Sequence, residues 1–190
     1  MAGLADFPHD LVTLEEWDAL DLDEARRWEL VEGGIVMTPR PRPLHQVVSK
    51  NLTRLLDERR PDSLVVLQEV EVTVEARFPP TVRDPDLIVV NRSVVERNPV
   101  RVDASDVALV IEIVSPGSRR TDRVMKPYEY AKAGIEHYWI VDLDAKPDER
   151  FLMHMLREGT YQRIGALFGD RVRTEEPLVL DFALDELTQL

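Results

Sequence analysis

No cysteine occurs among the 190 residues, and this one absence removes disulfides, thiolate zinc sites and cysteine nucleophiles together. A chain with no disulfide framework suits a reducing compartment, so a cytoplasmic protein is expected. Long apolar runs are also missing. None approaches the ~20 residues needed to cross a bilayer, and residues 1–10 lack the basic start and apolar stretch of a secretory signal. Aromatic residues make up only 6% of the chain, too few to stack on sugars and so unfavourable to a glycosidase. Basic residues are outnumbered, 24 Lys and Arg against 36 Asp and Glu, for a formal net charge of −12 at pH 7. That balance argues against a protein that coats nucleic acid by charge alone. It leaves room for an enzyme with a local basic cleft and a bound metal. No Gly-rich phosphate loop is present, no two histidines have metal-site spacing, and Ser115 lies outside any Gly-x-Ser-x-Gly elbow.

What the chain does have is a buried-strand pattern interrupted by acid. Residues 107–114 are all apolar except Glu112. A short run rich in β-branched residues reads as a strand covered on both faces. A carboxylate in that setting is costly unless cations, hydrogen bonds or water compensate it. Upstream, Asp84–Pro85–Asp86 leads into Leu87–Ile88–Val89–Val90, a second such run. If the two strands pair antiparallel, Asp86 at the start of one meets Glu112 near the end of the other. Two carboxylates in apolar surroundings suit a hard divalent cation, with oxygen ligands and retained water. Such an ion activates water against a phosphodiester.

The remaining elements follow from local patterns. Thr13 and Glu16 form a capping box ahead of a short amphipathic helix. Residues 28–37 read as two strands turning at Gly33–Gly34, followed by a proline-rich loop (Pro39, Pro41, Pro43) that carries Arg40 and Arg42. Residues 45–60 form the clearest helix, with Val47, Val48, Leu52, Leu55 and Leu56 on one stripe. Residues 64–74 are expected to be one strand, 92–105 a surface loop, and 121–133 a loop and helix that becomes regular near Pro127. Residues 137–141 are a core strand, 151–156 and 161–164 a hairpin, and 181–190 a short terminal helix. From His45 onward the order is helix, three strands, helix, strand. This is an α/β or α+β domain, a mixed sheet flanked by helices. Its length fits one domain over residues 1–190.

The motifs in their order resemble the Uma2 family, also called DUF820, of restriction-endonuclease type within the PD-(D/E)xK nuclease superfamily. The residues that carry the resemblance begin with Trp28 to Gly33, His45–Gln46, Pro85–Asp86 and Glu112 to Pro116. They continue with Arg119–Arg120–Thr121–Asp122, Lys126 and Tyr130 to Asp142. It spans residues 12–190 and implies a restriction-endonuclease-like core at about 28–142, with a C-terminal hairpin and tail at 150–190. It further implies a Mg²⁺-dependent endodeoxyribonuclease acting on DNA, with Asp86 and Glu112 as the metal-binding acids. Val114 stands where the motif lysine belongs, and Lys126, 14 positions after Glu112, resembles its migrated replacement. Replacing Lys126 by alanine is expected to leave stability near wild type. Glu29 resembles the acid contributed by the N-terminal region. His45, Arg119 and Arg120 are candidates to line the substrate cleft, while Arg123, Gln68 and Glu69 are lesser ones. A homodimer joined through apolar surface and strand edges of the 151–164 hairpin is expected, since cutting both strands of a duplex commonly uses two sites. The alternative is a non-cleaving nucleic-acid-binding or protein-interaction module that keeps the fold.

Overall fold

A computed structural model describes residues 10–23, 26–38 and 40–190. Pro39 and most of the 1–10 segment therefore lie outside the described residues. Helix α1 (Leu14–Ala19) carries the expected capping box between Thr13 and Glu16. Strands β1 (Arg27–Val31) and β2 (Gly34–Thr38) form the expected hairpin. The turn falls one residue earlier than expected, at Glu32–Gly33, where both φ angles are positive at 49° and 76°. That is the twist tight hairpins favour. A Cβ on Gly33 would also lie 2.9 Å from Leu11 Cβ.

Helix α2 spans Pro43–Asp57. It begins two residues before the expected start because proline is well suited to a first helical turn, where no N–H is needed. The expected strand over 64–74 is two strands in different sheets, β3 (Leu64–Gln68) and β4 (Val72–Glu75). Glu69, with φ of 52°, ends the first; alternation alone could not reveal a change of sheet. Strand β5 (Thr81–Arg83) precedes β6 (Leu87–Asn91). The stretch read as a surface loop holds helix α3 (Arg92–Arg97) and strand β7 (Val102–Asp103), and it buries Val94 and Val102. Strand β8 (Val107–Ile113) comes next, then a π turn (Thr121–Met125), helix α4 (Lys126–Lys132) and strand β9 (His137–Val141).

Strands β10 (Phe151–Arg157) and β11 (Thr160–Arg163) form the expected hairpin. Its apolar side chains Phe151, Leu152 and Met153 are buried in the chain's own core, and edge strand β11 exposes Thr160, Gln162 and Arg163. Met155, Leu156, Tyr161 and Ile164 of the same hairpin are half-buried. Strands β12 (Ala166–Phe168), β13 (Arg171–Thr174) and β14 (Leu180–Ala183) make a small antiparallel sheet. A 3-10 turn (Leu184–Thr188) follows, so the tail is strand then turn rather than helix.

The main sheet runs in the order β11-β10-β9-β8-β6-β3. Strand β6 pairs antiparallel with β8, the arrangement that brings Asp86 toward Glu112, and β8 pairs parallel with β9. Period-two alternation divides these strands between two cores. Leu87, Val89, Leu109, Ile111 and Trp139 join Leu52, Leu55 and Leu56 of α2, together with Phe182 and Leu187. Ile88, Val110, Tyr138 and Ile140 face the other way, onto Tyr130 and Ile135. Glu112 shares the parity of Val110 and Asp86 that of Ile88, so both acids belong to the α4 side.

Candidate active site

Leu87 lies opposite Ile111 in the β6–β8 ladder. Continuing that register by one residue sets Asp86 against Glu112, on one face of an antiparallel pair. The two acids line a single cavity of about 500 Å³. Its lining comes from β1, β2, the 40–45 segment, β5, the ends of β6 and β8, and the π turn. Asp86 is 6% exposed and Glu112 2% exposed, so the acids form a floor rather than a surface patch.

Asp86 is held from three directions. Its Oδ1 accepts from Arg27 Nη1 at 3.0 Å, and its Oδ2 accepts from the Ile113 amide at 2.7 Å and meets His45 Nε2 at 3.1 Å. Burial alone would raise its pKa. The His45 hydrogen bond and the charges of His45, Arg27 and Lys126 outweigh that and hold Asp86 down at about 2. Glu112 Oε1 accepts from Lys126 Nζ at 2.8 Å and from the Tyr130 hydroxyl at 3.0 Å. Both contacts fall on one oxygen, which leaves the other able to take a partner. Burial, with Asp122 and Asp86 nearby, pushes Glu112 up to about 8 despite the Lys126 charge.

Lys126 is 6% exposed, not the surface lysine that a helix start suggests. Its ammonium lies 2.8 Å from Glu112, 3.4 Å from Glu29 and 3.5 Å from Asp122. The π turn makes this possible. The Lys126 amide bonds back to the Thr121 carbonyl, which widens the turn just where Pro127 interrupts helical bonding. Asp122 and Lys126 then enter the cavity together. The expectation that Lys126→Ala leaves stability unchanged is corrected, because its loss would strand buried carboxylates.

Glu29 is 2% exposed in β1. It accepts from Arg83 Nη1 at 2.8 Å and from the Asp84 amide at 3.3 Å, and Lys126 and Arg83 hold its pKa down against burial. Arg83 also clamps Glu129 of α4 at 2.6 and 2.7 Å. His45 lies in the first turn of α2, with Nε2 on Asp86 and a buried Nδ1 without a partner. Of the expected site residues, Asp86, Glu112, Lys126, Glu29 and His45 thus come together. Arg119 and Arg120 do not: both are exposed, and Arg119 pairs with Asp142 in a separate hollow. Arg123 joins that hollow through Asp142 at 3.0 Å. Gln68 bonds Ser49, and Glu69 lies 3.7 Å from Arg27; neither lines the cavity.

Four cavity residues were missed from sequence. Arg27 shares a strand face with Glu29, a period-two signal that was available. Asp122 stands four residues before Lys126, an equally readable helical spacing. Arg83 and Asp84 carry no such mark. Among the described residues lining the cavity, five cationic side chains face five carboxylates, against a chain total of −12.

No group of three or more His, Asp or Glu gathers as a cation cage among the described residues. Two facing carboxylates do, however, match the sparse protein ligation of Mg²⁺, in which water and phosphate complete the shell. Burial also raises the pKa of Asp84 and Asp122 alongside Glu112. Asp86 and Glu112 face each other, and both hydrogen bonds to Glu112 fall on Oε1, so the pair fits a cation.

A pH effect follows. Folding lifts Glu112 from an ordinary 4.5 to about 8, so the folded state holds its proton more tightly. The resulting stability is complete below about pH 4.5 and is lost as pH rises toward 8. Between pH 5 and 8, in chelator, wild type should lose more melting temperature than Glu112→Gln does. Burial lowers His137 and His154 and acts oppositely below pH 6.5, but equally in both proteins. Parallel melting curves for the two would refute the assignment.

The Uma2 family model, described as "Putative restriction endonuclease", matches residues 14–186. The chain belongs to the Uma2 family. A solved structure, described as a putative nuclease belonging to DUF820 from Anabaena variabilis, is similar at 19% identity and a TM-score of 0.70. The likeness covers 93% of this chain and 97% of that one, and it shows that the nuclease-type fold is shared. No curated protein matches the chain. Among the described residues, no helix of this Uma2 protein is long and apolar enough to cross a membrane.

Proposed function

We propose that this Uma2 protein is a metal-dependent endonuclease that hydrolyses phosphodiester bonds in DNA through a PD-(D/E)xK-type site. The observation that carries the reading is the convergence of Asp86, Glu112 and Lys126 on one cavity floor from three separate elements. Asp86, ionised at any ordinary pH, and Glu112 would hold Mg²⁺ or Mn²⁺. Bound there, the cation would polarise the phosphodiester and lower the pKa of a water. Lys126 stays an ammonium among carboxylates and offers a fixed positive charge where phosphate negative charge builds. Glu29 and Arg83 orient Lys126, since Glu29 contacts both cations. Arg27 and His45 fix the Asp86 carboxylate. We place this action in the cytoplasm, where a chain without cysteine suits reducing conditions. Cutting both strands of a duplex would use two chains as a homodimer, whereas one chain suffices to nick one strand.

Incubation of supercoiled plasmid with purified protein and Mg²⁺ should yield nicked circles, and chelator should abolish them. A protein that binds the plasmid without nicking it in Mg²⁺ or Mn²⁺ would instead be the non-cleaving module.

A further inference from the structure

We infer that the cavity takes an unpaired stretch of DNA in preference to intact duplex, with a base of that strand against Met37 and Met125. The inference rests on the nuclease reading above and adds its substrate class. The acidic floor is deeply buried, so a scissile phosphodiester has to enter the cavity rather than pass across it. About 500 Å³ is the scale of a small-molecule pocket and accommodates a nucleotide. A closed duplex has no single nucleotide free to enter.

The lining is apolar in an unexpected place. Val36 and Met37 of β2 and Met125 of the π turn all line this charged cavity, yet they remain 42%, 50% and 44% exposed. Exposed apolar groups gathered at a cavity mark a contact surface. Apolar side chains there can stack on the faces of extruded or single-stranded bases. Methionine does so adaptably, with no demand for one base.

Charge points the same way. Arg40 and Arg42 lie in the same lining, and the cavity is neutral overall while the chain is at −12. Duplex DNA carries a phosphate about every 1.7 Å of axis and would bring many of them against a chain of net charge −12. A single strand threaded over the arginines brings fewer.

The test uses fluorescence anisotropy with a labelled 16-nucleotide single strand and the same sequence as blunt duplex, in Ca²⁺. The single strand should bind at least ten times more tightly. The Met37→Glu/Met125→Glu double variant should lose at least ten-fold on the single strand, with its melting temperature unchanged. Met37→Ala should lose a smaller part of the same preference. In Mg²⁺, a single-stranded circle should be cut faster than a supercoiled plasmid, and that faster than a relaxed one. Equal or tighter duplex binding, unchanged single-strand binding by both methionine variants, or tighter binding of the matching RNA strand would overturn the inference. Fast cutting of relaxed duplex overturns it while leaving the nuclease reading intact. Single-strand preference with no cutting of any DNA removes the nuclease reading alone.

Discussion

Asp86→Ala should abolish both Mn²⁺ binding by calorimetry and Mg²⁺-dependent nicking, with a rate loss of about 10³-fold or more. The size of the effect follows from how the carboxylate is held. The Ile113 amide, Arg27 and His45 all point at Asp86 and keep it ionised at about 2, so no proton competes for its oxygens at neutral pH. Glu112→Ala should weaken Mn²⁺ binding as strongly but with a different pH signature. Glu112 sits near 8, so cation binding to wild type below that pH must displace a proton, and proton uptake or release is visible as a buffer-dependent enthalpy. In Glu112→Gln that dependence should vanish. Wild-type affinity in either alanine variant would sink the two-carboxylate site.

Lys126→Met should show the second large effect, and on two readouts. Nicking should fall by about 10²- to 10³-fold, the usual cost of removing one fixed charge-stabilising group. Stability should also fall, by about 3–5 kcal/mol, because Glu112, Glu29 and Asp122 lose a shared cation in a buried site. In urea titrations above pH 8, where Glu112 is ionised, the double variant Lys126→Met/Glu112→Gln should recover much of that stability, since charge is then removed from both sides. It should recover no activity. A Lys126→Met protein as stable as wild type would place the ammonium in solvent and contradict its burial among carboxylates.

What could be read from the chain was what lies along single strands. The acid inside the apolar β8 run, and the acid that opens the apolar β6 run, are both visible within a few residues of sequence. Alternation could not show that 64–74 changes sheets at Glu69, because side-chain period is blind to which neighbour the backbone bonds. The C-terminal sheet was equally hidden: Val172, Leu180 and Phe182 are scattered apolar residues whose partners lie on α2 and β10, far away in sequence. At the site, the acids were legible because a carboxylate in an apolar run is conspicuous. Arg83 was not, because an arginine among 36 acidic residues looks like solvated surface until the fold buries it. Arg119 and Arg120 are the converse case, lying outside the cavity. They sit beside the motif in sequence, but the turn that delivers Asp122 and Lys126 inward carries them outward.

The most direct test is a crystal soaked in Mn²⁺ with data collected for anomalous scattering. The account predicts a manganese peak within ligand distance of both the Asp86 and Glu112 carboxylates. A peak elsewhere, or none at a Mn²⁺ concentration that saturates binding in solution, would contradict it.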